Sequence, residues 1–138
     1  MVRTIAEALD YAHRLGVLHL DLKPGNVLID ERGVPLVADF GLARRIDEAL
    51  ATDNDEVSGT PSYMAPEQAQ IKSHKLSPAT DIYGIGAILY ELLTGRPPFL
   101  AATPQETLKR VVTQEPARPR SLRRQVSQDL EAVALKCL

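Results

Sequence analysis

The chain's 138 residues suit one domain or part of one, and are enough to bury a real core. Hydrophobic residues make up 44% and charged residues 25%, which excludes wholesale disorder, and a net charge of −2 gives no electrostatic footprint for nucleic acid or an anionic membrane. The single cysteine, Cys137, excludes an internal disulfide and a cysteine-rich metal site, and points to a reducing, cytoplasmic compartment. Glu7 and Asp10 interrupt the opening segment, so it does not read as a secretory signal. The most apolar run, Ile82 to Tyr90, has nine residues where a bilayer span needs about 20, so no membrane contact is expected within this segment.

In chain order, Ile5, Ala8, Leu9, Ala12 and Leu15 fall on one helical face. Thr4 and Glu7 suit a capping box and Gly16 a terminating glycine, which predicts a helix over 4–15. Two short apolar runs, 27–29 and 36–38, flank the turn signal Asp30-Glu31-Arg32-Gly33 and predict a small β-hairpin. Residues 41–62 are rich in Asp, Ser, Thr and Gly without a sustained period, which predicts a long loop. Ser77-Pro78 opens a helix that is apolar nearly all round, hence buried, and Gly95 stops it. Thr103 and Glu106 cap a helix over 104–114. Arg118, Arg120, Arg123 and Arg124 form a basic cluster that reads as a solvated loop. Ser127 caps a last helix with the stripe Leu130, Val133, Ala134 and Cys137, and Cys137 reads as a small buried hydrophobe. That stripe runs into Leu138 without Gly, Pro or a basic cap, so the C-terminal boundary is expected to be a truncation.

Chemistry is concentrated in three motifs. Residues 19–26 read His-Leu-Asp-Leu-Lys-Pro-Gly-Asn; twelve residues then separate Asn26 from Asp39-Phe40-Gly41, and 23 more separate Gly41 from Ala65-Pro66-Glu67. Each is weak alone. In this order, with a hairpin between the first two, the set resembles the eukaryotic-type protein kinase family, in its larger, mostly helical lobe. Residues 59–68, Gly-Thr-Pro-Ser-Tyr-Met-Ala-Pro-Glu-Gln, look most like serine/threonine kinases of the bacterial type, and residues 81–86 match as well. The implied fold is mainly α with a small β-hairpin, a kinase-like C-terminal lobe of a two-lobed α+β parent. Residues 1–138 would be a partial kinase domain.

The resemblance implies roles that phosphoryl transfer explains, because that reaction is mainly positioning and charge neutralisation. Asp21 would orient or accept the proton of the substrate hydroxyl, and Lys23 would place a cation near the moving phosphoryl. Asn26 and Asp39 would supply oxygen ligands to Mg²⁺, or Mn²⁺ in its place, carried with ATP. Leu28 would lie under the adenine. Thr60 would contact Asp21 and Lys23 and help receive a protein serine or threonine. His19 and Phe40 would be packing residues linking the catalytic loop to the Asp-Phe-Gly turn. Asp81 would hydrogen-bond catalytic-loop backbone; its plain alternative is a first-turn acid favoured by the helix dipole.

The sequence departs from the family in three ways. Leu20 stands where many kinases carry an arginine that pairs with a phosphorylated loop, so Thr52, Ser58 and Thr60 lack that electrostatic latch. No G-x-G-x-x-G precedes the catalytic loop, and no strand lysine is offered to ATP, so the smaller N-terminal lobe is missing. Glu67 is expected to lack the arginine that pairs with it in the family. The leading reading is a catalytic-lobe portion of a serine/threonine protein kinase, inactive in isolation. The alternative is a non-catalytic, pseudokinase-like binding module. A small-molecule phosphotransferase is disfavoured by the Asp-Phe-Gly and Ala-Pro-Glu motifs.

Overall fold

The computed structural model describes residues 1–40, 43–45, 59–70 and 76–138, with only backbone at 44–45. Helix α1 spans Val2–Arg14, strand β1 Val17–Leu18, β2 Val27–Ile29, β3 Pro35–Val37 and β4 Arg44–Arg45. Helix α2 spans Pro66–Ala69, α3 Pro78–Thr94, α4 Pro104–Thr113, α5 Pro119–Leu122 and α6 Gln128–Cys137. Short 3₁₀ turns at Pro24–Asn26 and Pro61–Tyr63 complete the described elements. The protein is therefore mostly helical with small antiparallel β pairs, as the sequence predicts.

The core lies between α1, α3 and the hairpin. Ile5 and Leu9 of α1 are buried against Leu22, Ile85 and Ile88, with Val2, Val27, Val37 and Tyr63 at the edge. The inward face of α1 is thus narrower than the predicted stripe, since Ala8 is exposed and Leu15 is 58% exposed. The helix also begins before Thr4, with Met1 at its cap position and no side-chain cap bond, so the expected Thr4–Glu7 box does not form. Gly16 ends α1 as predicted, with φ +75 and its N–H on the His13 carbonyl. A β-carbon at that φ is strained, which is why glycine stands there.

The hairpin forms in the register Val27↔Val37, Leu28↔Leu36, Ile29↔Pro35. Its turn is built by Asp30, whose Oδ1 accepts the N–H groups of Arg32 at 2.9 Å and Val34 at 2.7 Å. Alternation then turns Val27 and Val37 toward the core and leaves Leu28 and Leu36 exposed. One further β pair has no sequence signal: β1 pairs with β4, Val17↔Arg45 and Leu18↔Arg44, across the start of the expected long loop. Gly41, Thr52 and Ser58 lie outside the described residues.

Helix α3 is the axis of the molecule. Ser77 accepts the Ala79 N–H, Pro78 occupies the first helical position, and Gly95 closes the helix at φ +83. Residues 83–90 are all buried, which no amphipathic helix would tolerate. Thr103 caps α4 by accepting the Glu106 N–H at 3.2 Å. Ser127 caps α6 likewise through Leu130 N–H, at 3.2 Å. The face α6 buries is only partly the predicted one: Ala134 and Cys137 of the expected stripe turn inward, and Leu130 and Val133 do not. Leu130 and Val133 are 44% and 51% exposed, while Glu131 and Ala134 face inward. Glu131 can do so because its carboxylate accepts the Arg120 N–H at 2.7 Å, giving a buried charge the donor it needs. Cys137 is only partly buried, yet its β-carbon packs directly on Gly86 of α3. Arg118, Arg120, Arg123 and Arg124 are exposed, partly on the short α5 rather than wholly in a loop. Among the described residues no helix is long and apolar enough to cross a membrane.

Two phenols, Tyr63 half-buried and Tyr83 buried, behave oppositely. Tyr63 Oη donates to Glu91 Oε2 at 2.6 Å, whereas Tyr83 Oη has no hydrogen-bond partner among the described residues. Burial raises the pKa of both, reinforced by the carboxylate of Glu91 for Tyr63 and of Glu67 for Tyr83. Burial also raises Tyr90. Phenols raised in the folded state contribute stability that is full below their unfolded pKa of about 10 and is lost as pH climbs through the folded values.

Three measurements follow from this packing. Stability by urea denaturation should hold up to about pH 10 and fall as pH rises above it, with absorbance at 295 nm showing phenolate appearing as the protein unfolds. Tyr63→Phe should cost about 1–3 kcal/mol by leaving Glu91 without its donor, while Tyr83→Phe should not destabilise at all, since it removes an unpaired hydroxyl. A β-carbon at Gly86 would lie 2.6 Å from Cys137 Cβ and 3.2 Å from its backbone carbon, so Gly86→Ala should cost about 1–3 kcal/mol. Gly25→Ala, with nothing within 4 Å, is the control and should fall within about 0.5 kcal/mol of the unmodified chain.

Candidate active site

The segment 19–26 has little regular structure of its own and is held by its neighbours. Asp81, in the first turn of α3 and 1% exposed, accepts His19 N–H on Oδ2 and Leu20 N–H on Oδ1, each at 2.9 Å. His13 Nε2 of α1 also reaches Oδ2, at 2.7 Å. From the other side, Gln68 Nε2 donates to the Leu20 carbonyl at 2.8 Å, while Gln68 Oε1 accepts the Ala65 N–H at 3.0 Å. Leu20 is held at φ +65, a left-handed conformation that costs a non-glycine residue roughly 1–2 kcal/mol. Its side chain is buried with Leu18 and Leu76. Leu20 is therefore an apolar core residue.

His19 is wholly buried and uses both ring nitrogens. Asp21 N–H donates to Nδ1 at 3.3 Å, so Nδ1 is an acceptor. Nε2 then carries the hydrogen and donates to the Ala38 carbonyl at 3.1 Å. Only the neutral Nε2–H tautomer satisfies both bonds. The ring packs on Phe40 with centroids 4.6 Å apart and a tilt of 56°. His19 thus ties the residue before Asp39 to the backbone of Asp21.

Asp21 is the centre of the polar cluster. Its Oδ2 receives Lys23 Nζ at 2.6 Å and Asn26 Nδ2 at 3.1 Å, and its backbone carbonyl takes the other Asn26 amide hydrogen at 2.8 Å. Both partners of the Asn26 amide nitrogen are oxygens that only accept, which fixes the amide orientation and turns Oδ1 the other way. Among the described residues no hydrogen bond reaches Asp21 Oδ1 or Asn26 Oδ1. The 3₁₀ turn places Asn26 by its N–H on the Lys23 carbonyl at 3.0 Å, and the hairpin base ties it to Ala38, whose N–H donates to the Asn26 carbonyl at 2.9 Å. The residue after Ala38 is Asp39, exposed and at φ +61.

A neutral amide oxygen and a carboxylate, joined through the base of one hairpin, fit a hard cation that draws its other ligands from phosphate and water. Among the described residues no three His, Cys, Asp or Glu side chains gather as a protein-only metal site. Leu28 is 54% exposed beside its register partner Leu36, 51% exposed, giving the hairpin an apolar outer surface. Gly59, at φ +126, brings its backbone close to the site, and a β-carbon there would sit 3.5 Å from Asp21 Oδ1. Thr60 follows it, with its carbonyl accepting the Tyr63 N–H at 3.0 Å; no hydrogen bond joins Thr60 to Asp21 or Lys23 among the described residues. Glu67 is not left without a partner, since Thr80 Oγ1 donates to its Oε1 at 2.7 Å. His13 and Gln68 are the site-supporting residues that sequence reasoning missed. Gln68 closes the 59–68 string that carries the resemblance, but neither its type nor that of His13 points to the partner each one bonds.

The protein kinase domain model matches residues 1–138. The chain is 48% identical over 97 residues to the Probable serine/threonine-protein kinase PknB of Bifidobacterium longum, covering 69% of this chain and 14% of that protein. It is 43% identical over 137 residues to the Serine/threonine-protein kinase PkaA of Streptomyces coelicolor, covering 97% and 24%. Over 139 residues it is 37% identical to the Serine/threonine-protein kinase PknB of Mycobacterium leprae, covering 100% and 22%. The chain thus spans at most about a quarter of the length of these relatives. With its motifs in order, a mostly helical lobe around α3 and this match across its whole length, the chain belongs to the protein kinase family.

Proposed function

We propose that residues 1–138 carry the phosphoryl-transfer residues of a serine/threonine protein kinase, acting on ATP and a protein hydroxyl in the cytoplasm. The observation that carries the reading is the arrangement at Asp21, where Lys23 and Asn26 occupy Oδ2, while Oδ1 takes no hydrogen bond among the described residues and could accept from a substrate. A carboxylate fixed on one side presents the other in a defined direction, and positioning is most of the catalysis in this reaction class.

In this reading the serine or threonine Oγ attacks the γ-phosphorus as Asp21 Oδ1 takes its proton, and ADP leaves. Lys23 holds its ammonium beside Asp21, where charge on the moving phosphoryl would be neutralised. Asn26 Oδ1 and the Asp39 carboxylate would hold Mg²⁺. Bound there with the nucleotide, the ion would neutralise phosphate charge. Leu28 and Leu36 offer a flat apolar surface for a purine. Thr60 lies on the segment that Gly59 brings to Asp21, which suits a role in receiving the protein substrate. His19 and Phe40 keep Asp39 in register with Asp21. Asp81 holds the loop backbone. Leu20 does not weigh toward the non-catalytic alternative, because its burial with Leu18 and Leu76 gives it a structural reason.

The sequence contains no G-x-G-x-x-G loop, so one wall of a nucleotide cleft must come from elsewhere. The 138-residue chain alone is expected to show no kinase turnover. Extended with a kinase nucleotide-binding lobe, it should bind Mg²⁺-ATP by titration calorimetry and phosphorylate a serine-containing protein. Binding by neither form would favour the non-catalytic reading. In the extended form, Asp21→Asn should lower kcat by about 10²–10⁴-fold with little change in KM for ATP, as for loss of a positioned proton acceptor. Asn26→Leu should cost the isolated chain about 2 kcal/mol in urea denaturation, because Asp21 loses both amide donors.

A further inference from the structure

We infer that Arg118, Arg120 and Arg124 form a recognition site for a phosphoserine or phosphothreonine side chain of another protein. The inference rests on the phosphoryl-transfer reading only for the source of that group, since a serine/threonine kinase works among phosphorylated proteins. The three arginines line one depression of about 400 Å³, together with Ser121 and Glu131. All three are exposed, and none has a side-chain partner among the described residues. Other arginines of the chain are engaged: Arg3 pairs with Glu7, Arg14 pairs with Asp10, and Arg123 reaches the Leu93 carbonyl at 3.4 Å.

The backbone that carries these arginines is fixed. Pro119, between the first two, is fully buried. Glu131 Oε2 accepts the Arg120 N–H at 2.7 Å, Ser121 Oγ donates to the Arg118 carbonyl at 2.6 Å, and Arg123 N–H donates to the Pro119 carbonyl at 2.8 Å. These bonds use backbone groups and leave the guanidinium groups of Arg118, Arg120 and Arg124 available. Glu131 is the one acid in the lining, and its Oε2 is engaged with that amide. A guanidinium stays charged at any ordinary pH, so three on one depression repel and cannot relieve it by losing protons. An anion relieves it. A phosphate dianion suits best, because planar guanidinium forks pair bidentately with its oxygens. The surroundings narrow the carrier of that phosphate. Residues 101–138 contain no Phe, Tyr, Trp or His, so no ring there stacks on the base of a nucleotide or single-stranded nucleic acid. Helix α5 has four residues, too short to lay a basic amphipathic face on an anionic membrane. A phosphorylated side chain on a protein needs neither feature.

The test is fluorescence anisotropy of a labelled glycine–alanine peptide carrying one phosphoserine, titrated with the 138-residue chain, which needs no kinase activity. The phosphopeptide should bind at least about tenfold more tightly than the same peptide with serine. Arg118→Gln, Arg120→Gln and Arg124→Gln should each weaken it by about three- to tenfold, and the triple variant should lose the preference for phosphoserine. These side chains are exposed and make no internal bond, so the variants should keep the urea midpoint of the unmodified chain. Arg32→Gln, at an exposed arginine of the hairpin turn, is the control and should leave binding unchanged. Equal binding of the two peptides, or an equal loss in Arg32→Gln, would overturn the inference. So would inorganic phosphate bound as tightly as the phosphopeptide, which marks a free-anion site, or phosphatidylserine vesicles bound more tightly than the phosphopeptide, which marks a membrane surface. An extended form that binds the phosphopeptide but phosphorylates nothing would overturn the phosphoryl-transfer reading and leave this site standing.

Discussion

A carboxylate at the start of the most buried helix sets the terms for everything around it. Moving such an ion from water to a low-dielectric interior costs several kcal/mol even after relaxation. Asp81 meets that cost with two backbone N–H groups from consecutive residues and one imidazole from another helix. Two consecutive amides can point at one carboxylate only if the chain turns sharply there, and the turn is Leu20 at φ +65. The strain at Leu20 and the burial of Asp81 are thus one feature: each is tolerable because of the other. Downstream of that turn the backbone is aimed, and Asp21, Lys23 and Asn26 inherit their directions from it.

The same logic explains the glycines of α3. A β-carbon at Gly84 would come within 2.8 Å of Leu22 Cβ, and one at Gly86 within 2.6 Å of Cys137 Cβ. The helix is therefore bare on two sides. On one side the loop that carries Asp21 lies directly against it; on the other α6 does. Glycine inside a helix costs roughly 0.5–1 kcal/mol relative to alanine, which is offset here by close approach of two other segments. The loop carrying Asp21 therefore packs on the buried stretch 83–90 of the helix.

The elements most legible in the sequence were those whose ends are marked by local chemistry. Ser77-Pro78, Thr103-Pro104 and Ser127 cap their helices as side-chain acceptors, and Asp30 builds the hairpin turn, because each acts within four residues of itself. The order of the three motifs then identified the family. What was not legible depends on partners distant in sequence. The inward face of α6 is decided by Glu131 bonding to Arg120 and by a small residue, Ala134, rather than by its larger apolar side chains. The β1–β4 pair joins segments of two residues each, too short to carry a pattern. Glu67 finds Thr80 because the third motif folds back on the start of α3, a contact 13 residues away. His13 and Asp81 are 68 residues apart, and neither spacing nor residue type could have joined them.

Leu20 shows how a departure from a family pattern changes meaning once its surroundings are known. Read against the motif alone, it is the loss of a cation that would grip a phosphorylated loop. In the fold, the backbone of that residue is already held on both sides, by Asp81 at its N–H and by Gln68 at its carbonyl. The side chain is left to satisfy its own burial, which a leucine among Leu18 and Leu76 does without the desolvation that a charged group there would suffer. Order at the catalytic loop is then built into the packing of α1, α2 and α3, rather than conferred by a charge arriving on the loop. The place of Asp21 is thus set by buried side chains and backbone hydrogen bonds, and no charged group at position 20 is needed to hold it.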